Sequence, residues 1–256
     1  MNQRTVSFYS EGTKMEGDLF LPSDLKSTER RPAVVLCHGF GAPGEDLVPL
    51  GGELVHGRPE LEDVRFVFPA APLSLSGVIP GWDSARAWWM LDLDRLMSAQ
   101  MGLGSPSKVA EAYRAEVPEG LAPARRHLMS LVDELSRASG LPNSKIVLGG
   151  FSQGAMLAVD VSLRLEEAPA ALVILSGTLI AEPEWKARAP VRKGLRVFQS
   201  HGRRDPILPF DNAERLRDLL GGAGLEVEFL PFDGEHTIPG EALGRVADLL
   251  SARLKA

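Results

Sequence analysis

Ser152 stands among glycines in GGFSQGAML, residues 149–157, after an apolar run and ahead of small and apolar residues. Gly150-Phe151-Ser152-Gln153-Gly154 has the pattern G-x-S-x-G. In that pattern the serine occupies a strained strand-to-helix turn. The glycines let neighbouring backbone come close, and the hydroxyl is held above the sheet as a nucleophile. A serine in this place has a second, plainer role as a helix N-cap. The strand before Ser152 and the helix after it favour the nucleophile.

A serine hydroxyl attacks poorly until a base removes its proton, and that base must be oriented by a carboxylate. Around this turn the chain order is serine, acid, histidine. His38, His56 and His127 precede Ser152 and fail the order. Of the two that follow, His201 in SHGRRDPILP comes before Asp205, whereas His236 in DGEHTIP comes after it. His236 is the expected base and Asp205 the expected acid. Among the rivals, Asp211 with Glu214 three residues on reads as a helix cap. Asp233 and Glu235 sit too close to His236 on one tight loop to face it. Asp205 and His236 each follow a strand, at the edge of an α/β sheet where ligands bind.

Acyl-bond cleavage passes through an oxyanion, which needs N–H donors already in place. One is expected from Gln153, the residue after the serine. The other is expected from the glycine-rich HGFGAPGED (38–46), at Phe40. Alone, HGFG is a tight turn; beside a serine, an acid and a base it becomes half of an oxyanion hole.

These residues must be carried by elements that bring them to one place. TVSFYS and MEGDLFL flank a short turn and read as an opening hairpin. Residues 33–38, 64–69, 145–150, 171–176, 195–200 and 225–230 are further strand candidates, most of them continuous apolar runs suited to parallel strands buried on both faces. Helical patterns fall between them, at about 46–56, 123–139, 153–166, 211–221 and 240–254. The fold class is therefore α/β, a mostly parallel central sheet with helices on both faces. From Trp82 to Pro123 runs an inserted excursion with two adjacent tryptophans and three methionines. Its segment Trp88–Met101 is apolar and adaptable enough to wall an acyl site, with Trp88 and Met97 as candidate substrate-binding residues. The alternative is that these side chains fill core beneath the excursion.

The 256 residues show no repeat, low-complexity tract or linker, so residues 1–256 are expected to form a single domain. With 44% apolar and 24% charged residues, the composition is that of a globular chain. The formal charge of −6 disfavours a nucleic-acid partner, whose phosphates need a basic face. Residues 1–10 lack the apolar core of a secretory signal, and no apolar run is long enough to span a bilayer, so no stable membrane insertion is expected. The lone Cys37 excludes an intramolecular disulfide and reads as a small buried hydrophobe. A cytoplasmic setting fits these features. No H-E-x-x-H or clustered ligand pattern points to a metal, and GGFSQG lacks dinucleotide-binding spacing.

Six stretches, taken together and in order, resemble the phospholipase/carboxylesterase family of α/β hydrolases, which includes the acyl-protein thioesterases: VVLCHGFGAPGEDLVPL, FPAAP, ARAWW, GGFSQGAML, SHGRRDPILP and GEHTIP. The resemblance covers most of residues 33–238. It implies an α/β-hydrolase fold and serine esterase activity without a cofactor, on a small-molecule ester or thioester. It also implies Ser152, Asp205 and His236 as the triad, with Phe40 and Gln153 as oxyanion donors. Two departures bear on substrate preference: Met90 stands where the family usually has an aspartate after its Trp-aromatic pair, and the segment from about 92 to 123 is longer than the family core needs. A carboxylesterase is expected first, and a thioesterase or lysophospholipase with the same machinery second. A non-catalytic binding protein on the same scaffold would require a missing triad member, and none is missing.

Overall fold

Side chains alternate across a strand, and that alternation divides the core into two layers. In β3 (Ala33–Cys37), Val34 and Leu36 pack on one face with Leu54, Phe66, Val246 and Leu250. Ala33, Val35 and Cys37 pack on the other with Leu128, Leu148 and Leu157. All five are buried, as an interior parallel strand requires. The structure is a computed structural model describing residues 2–10, 12–21, 30–78, 80–92, 111 and 114–254.

Eight strands form the main sheet. The hairpin β1 (Asn2–Ser10) and β2 (Thr13–Leu21) is antiparallel, and β2 runs antiparallel to β4 (Arg65–Pro69). β4 pairs with β3, followed by β7 (Ile146–Phe151), β8 (Ala171–Leu175), β9 (Arg196–Gly202) and β10 (Glu226–Phe232), all parallel. The order is β1-β2-β4-β3-β7-β8-β9-β10. Leaving β3, the chain goes first to β4 on one side and then crosses to β7 on the other. That reversal opens a crevice beyond the C-terminal ends of β3 and β7, the usual ligand position in such sheets.

Helices α1 (Val48–Gly57) and α6 (Gly240–Arg253) cover the face that holds Val34 and Leu36. The opposite face is covered by α2 (Leu121–Ser139), α3 (Gln153–Ser162), α5 (Phe210–Gly222) and Trp185 of α4 (Glu182–Arg188). The expected strands and the five expected helices are present, with ends shifted by a few residues. The short α4 carried too little periodicity to be anticipated. α3 stops at Ser162 rather than near 166. There the buried Arg192 guanidinium donates to the carbonyls of Ser162 (2.6 Å) and Leu165, supplying the partners that continued helix would have given.

The cap reading of Asp211 is corrected. α5 begins at Phe210 with Pro209 at the cap position and no side-chain cap bond, so Asp211 lies inside the first turn. Its charge still suits the positive end of the helix dipole.

α3, the helix that leaves Ser152, is locked by the fully buried Asp160. Its carboxylate accepts from Arg125 of α2 (2.5 Å), Arg164 (2.6 Å) and the Trp185 indole (2.9 Å). These bonds supply the partners that a carboxylate loses when it leaves water. Where the excursion begins, β6 (Arg86–Ala87) pairs with β5 (Leu73–Ser74) just ahead of it in a small second sheet. A satellite core of Leu75, Ala85 and Ala87 meets Phe40 and Trp82 beside it. Leu93, Leu96, Met97 and Met101 lie outside the described residues. No described helix is long and apolar enough to cross a membrane.

Candidate active site

Ser152 has φ 54° and ψ −119°, a conformation disfavoured for any residue with a Cβ. Its side chain makes no capping hydrogen bond, so the plain N-cap role is not realised. The turn is held instead by backbone: Ser152 N–H donates to Leu175 O (2.9 Å), and Ala155 and Met156 N–H donate to Ser152 O (3.1 and 3.2 Å). The flanking glycines have a steric cause. A Cβ on Gly154 or Gly150 would collide with the Cys37 carbonyl at the end of β3. Only hydrogen at these positions lets β3, β7 and α3 press together.

The loop after β3 passes directly beside the serine. A Cβ on Gly39 would lie 3.3 Å from that of Ser152. Phe40 comes next, its ring 6.0 Å from that of Trp82. Gln153 occupies the first helical position, where the amide has no intrahelical acceptor and the helix dipole is positive. Its buried side chain holds the excursion in place: Oε1 accepts from Trp88 N–H (3.0 Å), and Nε2 donates to Trp89 O (2.8 Å).

Trp88 is 2% exposed, packed in the core, with its indole N–H donating to His38 O at 2.9 Å. It falls on the core side of the two readings. Two residues on, Met90 is exposed, at 44%. A groove of about 650 Å³ between α1 and α6 is bordered by none of the candidate site residues.

His38 is structural. Its Nε2 accepts from Ala71 N–H (3.0 Å), so the proton is on Nδ1, which donates to Gly39 O (2.8 Å). Burial pushes its pKa down to about 4, and the bond from Ala71 N–H to Nε2 requires the neutral ring. The unfolded state therefore takes up a proton below about pH 6.5 that the folded state refuses until about pH 4. Stability falls as pH drops through that window, by up to about 3 kcal/mol from this group. Denaturant melts at pH 7 and pH 4.5 should show the loss in the wild type and a smaller one in His38→Gln.

At the other end of the crevice, His236 Nδ1 donates to Asp205 Oδ2 at 2.6 Å. The second oxygen, Oδ1, accepts from Ile207 and Leu208 N–H, each at 2.9 Å. Burial alone would raise the Asp205 pKa. The hydrogen bonds from His201 and His236, the charge interaction with His236 and the Leu208 amide outweigh it, so the carboxyl sits well below its ordinary range. The two loops are tied along their backbones: Arg203 N–H donates to Phe232 O and Arg204 N–H to Gly234 O, both at 2.9 Å. The His236 ring lies 4.7 Å from that of Phe151, the neighbour of Ser152. Strand ends β3, β7, β9 and β10 thus carry the candidate residues to one edge of the sheet.

Two contributors had no sequence signal. Ser176, buried with φ 49°, donates from Oγ to Thr237 O (3.1 Å) and steadies the His236 loop. The Gln153 side chain reaches Trp88 and Trp89 across 65 and 64 residues of sequence, a contact that no local pattern encodes. Among the described residues, no group of three or more His, Cys, Asp or Glu could hold a metal ion.

The family model for phospholipase/carboxylesterase matches residues 106–254, more than half of the chain. The acyl-protein thioesterase 1 of Neurospora crassa is 27% identical over 226 residues, covering 86% of each protein. That of Mycosarcoma maydis is 29% identical over 172 residues, 66% of this chain and 67% of the relative. Among solved structures, esterase PE8 superposes with a TM-score of 0.74 at 27% identity, covering 93% of this chain and 98% of that one. SOBER1 of Arabidopsis thaliana, at 20% identity and a TM-score of 0.69 over 88% of this chain and all of its own, shares the fold. The strained serine turn, the glycine loop beside it and the likeness along most of the chain lead to one conclusion: this chain belongs to the phospholipase/carboxylesterase family of α/β hydrolases and is an ester or thioester hydrolase.

Proposed function

We propose that this protein cleaves carboxylic esters through an acyl-enzyme, with Ser152 as nucleophile, His236 as base and Asp205 as the group that orients the base. The observation that carries the reading is the 2.6 Å bond from His236 Nδ1 to Asp205 Oδ2, in a ring 4.7 Å from that of Phe151 beside Ser152; with Nδ1 so engaged, Nε2 is the nitrogen left to act as base. Nε2 takes the Ser152 proton as Oγ adds to the acyl carbonyl. The amides of Gln153 and Phe40 stabilise the oxyanion, in a site where each such donor contributes a few kcal/mol to the barrier. The tetrahedral adduct collapses as His236 returns the proton to the leaving oxygen or sulfur. Water, activated in the same way, then frees the acid.

A thioester leaving group needs no different machinery. The thioesterase reading draws its support from the names of the relatives that match over 86% of the chain. Matched ester and thioester substrates with one acyl group decide between them. An ester hydrolase gives a kcat/KM for the oxygen ester equal to or above that for the thioester. A ratio reversed by a hundredfold would make this a thioesterase.

The excursion yields a prediction about chain length. Trp88→Ala removes a buried indole and should cost about 3–5 kcal/mol of stability, while the ester chain-length profile of the folded enzyme keeps its shape. Met90→Ala should leave stability nearly unchanged and shift the preferred chain length. A panel of esters from acetyl to dodecanoyl, with thermal melts beside it, checks both.

A further inference from the structure

A second histidine holds the same carboxylate oxygen as His236. His201, at the end of β9, is wholly buried and has Nε2 3.3 Å from Asp205 Oδ2 and 2.9 Å from Leu208 O. Both neighbours are acceptors, so Nε2 carries a hydrogen, which donates to Leu208 O with Asp205 Oδ2 in close electrostatic reach. The other ring nitrogen, Nδ1, is buried with no hydrogen-bond partner.

That orphaned nitrogen is a cost without a structural return. A buried polar atom without a partner costs stability. What His201 gains is control of Asp205. Its N–H, 3.3 Å from Oδ2, adds a fourth polar contact to a carboxylate that already accepts from Ile207 and Leu208 on Oδ1 and from His236 on Oδ2. By binding Leu208 O as well, it closes the loop 203–209 on itself, because Leu208 N–H already donates to Asp205 Oδ1. Neither the carboxylate nor its loop can then rotate without breaking a bond to His201.

We infer that His201 is a positioning residue for the proposed triad: its Nε2–H holds Asp205 Oδ2 in line with His236 Nδ1 and keeps the carboxylate from rotating or taking the His236 proton. The inference rests on the triad reading. The charged and titratable groups around the pair are Asp205 and His236 themselves, Arg203 and Arg204 on the acid loop, and Asp233 and Glu235 on the histidine loop. Arg203 lies over the Phe210 ring that neighbours His201, and Arg204 pairs with Asp233 in solvent. None of these four reaches Asp205 Oδ2 in place of His201.

Glutamine places its amide nitrogen where histidine places Nε2, whereas leucine fills the space without a donor. His201→Leu should lower kcat about 10- to 100-fold, the worth of one hydrogen bond to a charged group, with KM for a short ester within about twofold. With one donor lost, the freed carboxylate attracts a charged His236 more strongly, so the acidic limb of the kcat/KM profile should move up by roughly half a pH unit. His201→Gln should restore most of kcat and the wild-type limb. Rates are taken per folded molecule, from circular dichroism and melting curves, so lost stability does not enter the comparison. The inference is overturned if His201→Leu matches the wild type in kcat and pH profile, or if His201→Gln is as slow as His201→Leu. Asp205→Asn serves as the control: full turnover there removes the triad reading itself, whereas a dead Asp205→Asn beside an unaffected His201→Leu removes only the role of His201.

Discussion

Ser152→Ala is expected to lose covalent labelling by a fluorophosphonate altogether and to turn over esters about 10⁴- to 10⁶-fold more slowly than the wild type. The size follows from the chemistry: with no Oγ there is no acyl-enzyme, and what remains is binding plus the oxyanion donors acting on adventitious water. The change should cost little structure, because the Ser152 side chain caps nothing and backbone bonds hold the turn. A Cβ remains, so the strain at φ 54° is unchanged and the melting temperature should stay within a few degrees. Labelling and turnover that survive in the alanine variant would leave Ser152 as a turn residue and move the nucleophile elsewhere.

Asp205→Asn comes second, with an expected loss of about 10³- to 10⁴-fold in kcat. An amide oriented to donate toward His236 would force the proton onto Nε2, the nitrogen that must be bare to accept from Ser152. It would also remove the charge that stabilises the imidazolium. Asp211→Asn changes only a weak dipole interaction in the first turn of α5 and should leave kcat unchanged, at a cost of about 0.5 kcal/mol or less. The reverse ranking in steady-state assays would transfer the acid to the other loop. Asp205 also contributes to acid stability. Its folded pKa is depressed, so its contribution is complete above the ordinary carboxylate value near 3.9 and is lost as pH falls toward the lower folded value. Asp205→Asn should therefore show a shallower loss of stability below pH 4.

The order of elements and the strained turn at Ser152 were legible in the sequence because their causes are local. Continuous apolar runs such as ALVIL have no reading but a strand buried on both faces. The spacing of Gly150, Ser152 and Gly154 records a backbone crowding that any chain making this turn must satisfy. Chain order then separated His236 from four other histidines. The Asp211 cap failed because Pro209 takes the cap position two residues earlier than the DNAE pattern suggested. The remaining decisions belonged to tertiary packing. Trp88 and Met90 are two residues apart and both apolar, and only the fold could bury one under His38 and leave the other at the surface. His201 reads as a discarded candidate base until β9 and the loop at 203–209 bring its Nε2 to the carboxylate that His236 also uses. The bonds from Ser176 to Thr237 and from Gln153 to the tryptophan backbone likewise join segments 61 to 65 residues apart. Sequence periodicity carries the information that one helix or strand needs to bury its own face. Which polar atoms meet across strand ends is decided only when the sheet assembles, because a hydrogen bond depends on a few tenths of an ångström that no residue pattern encodes.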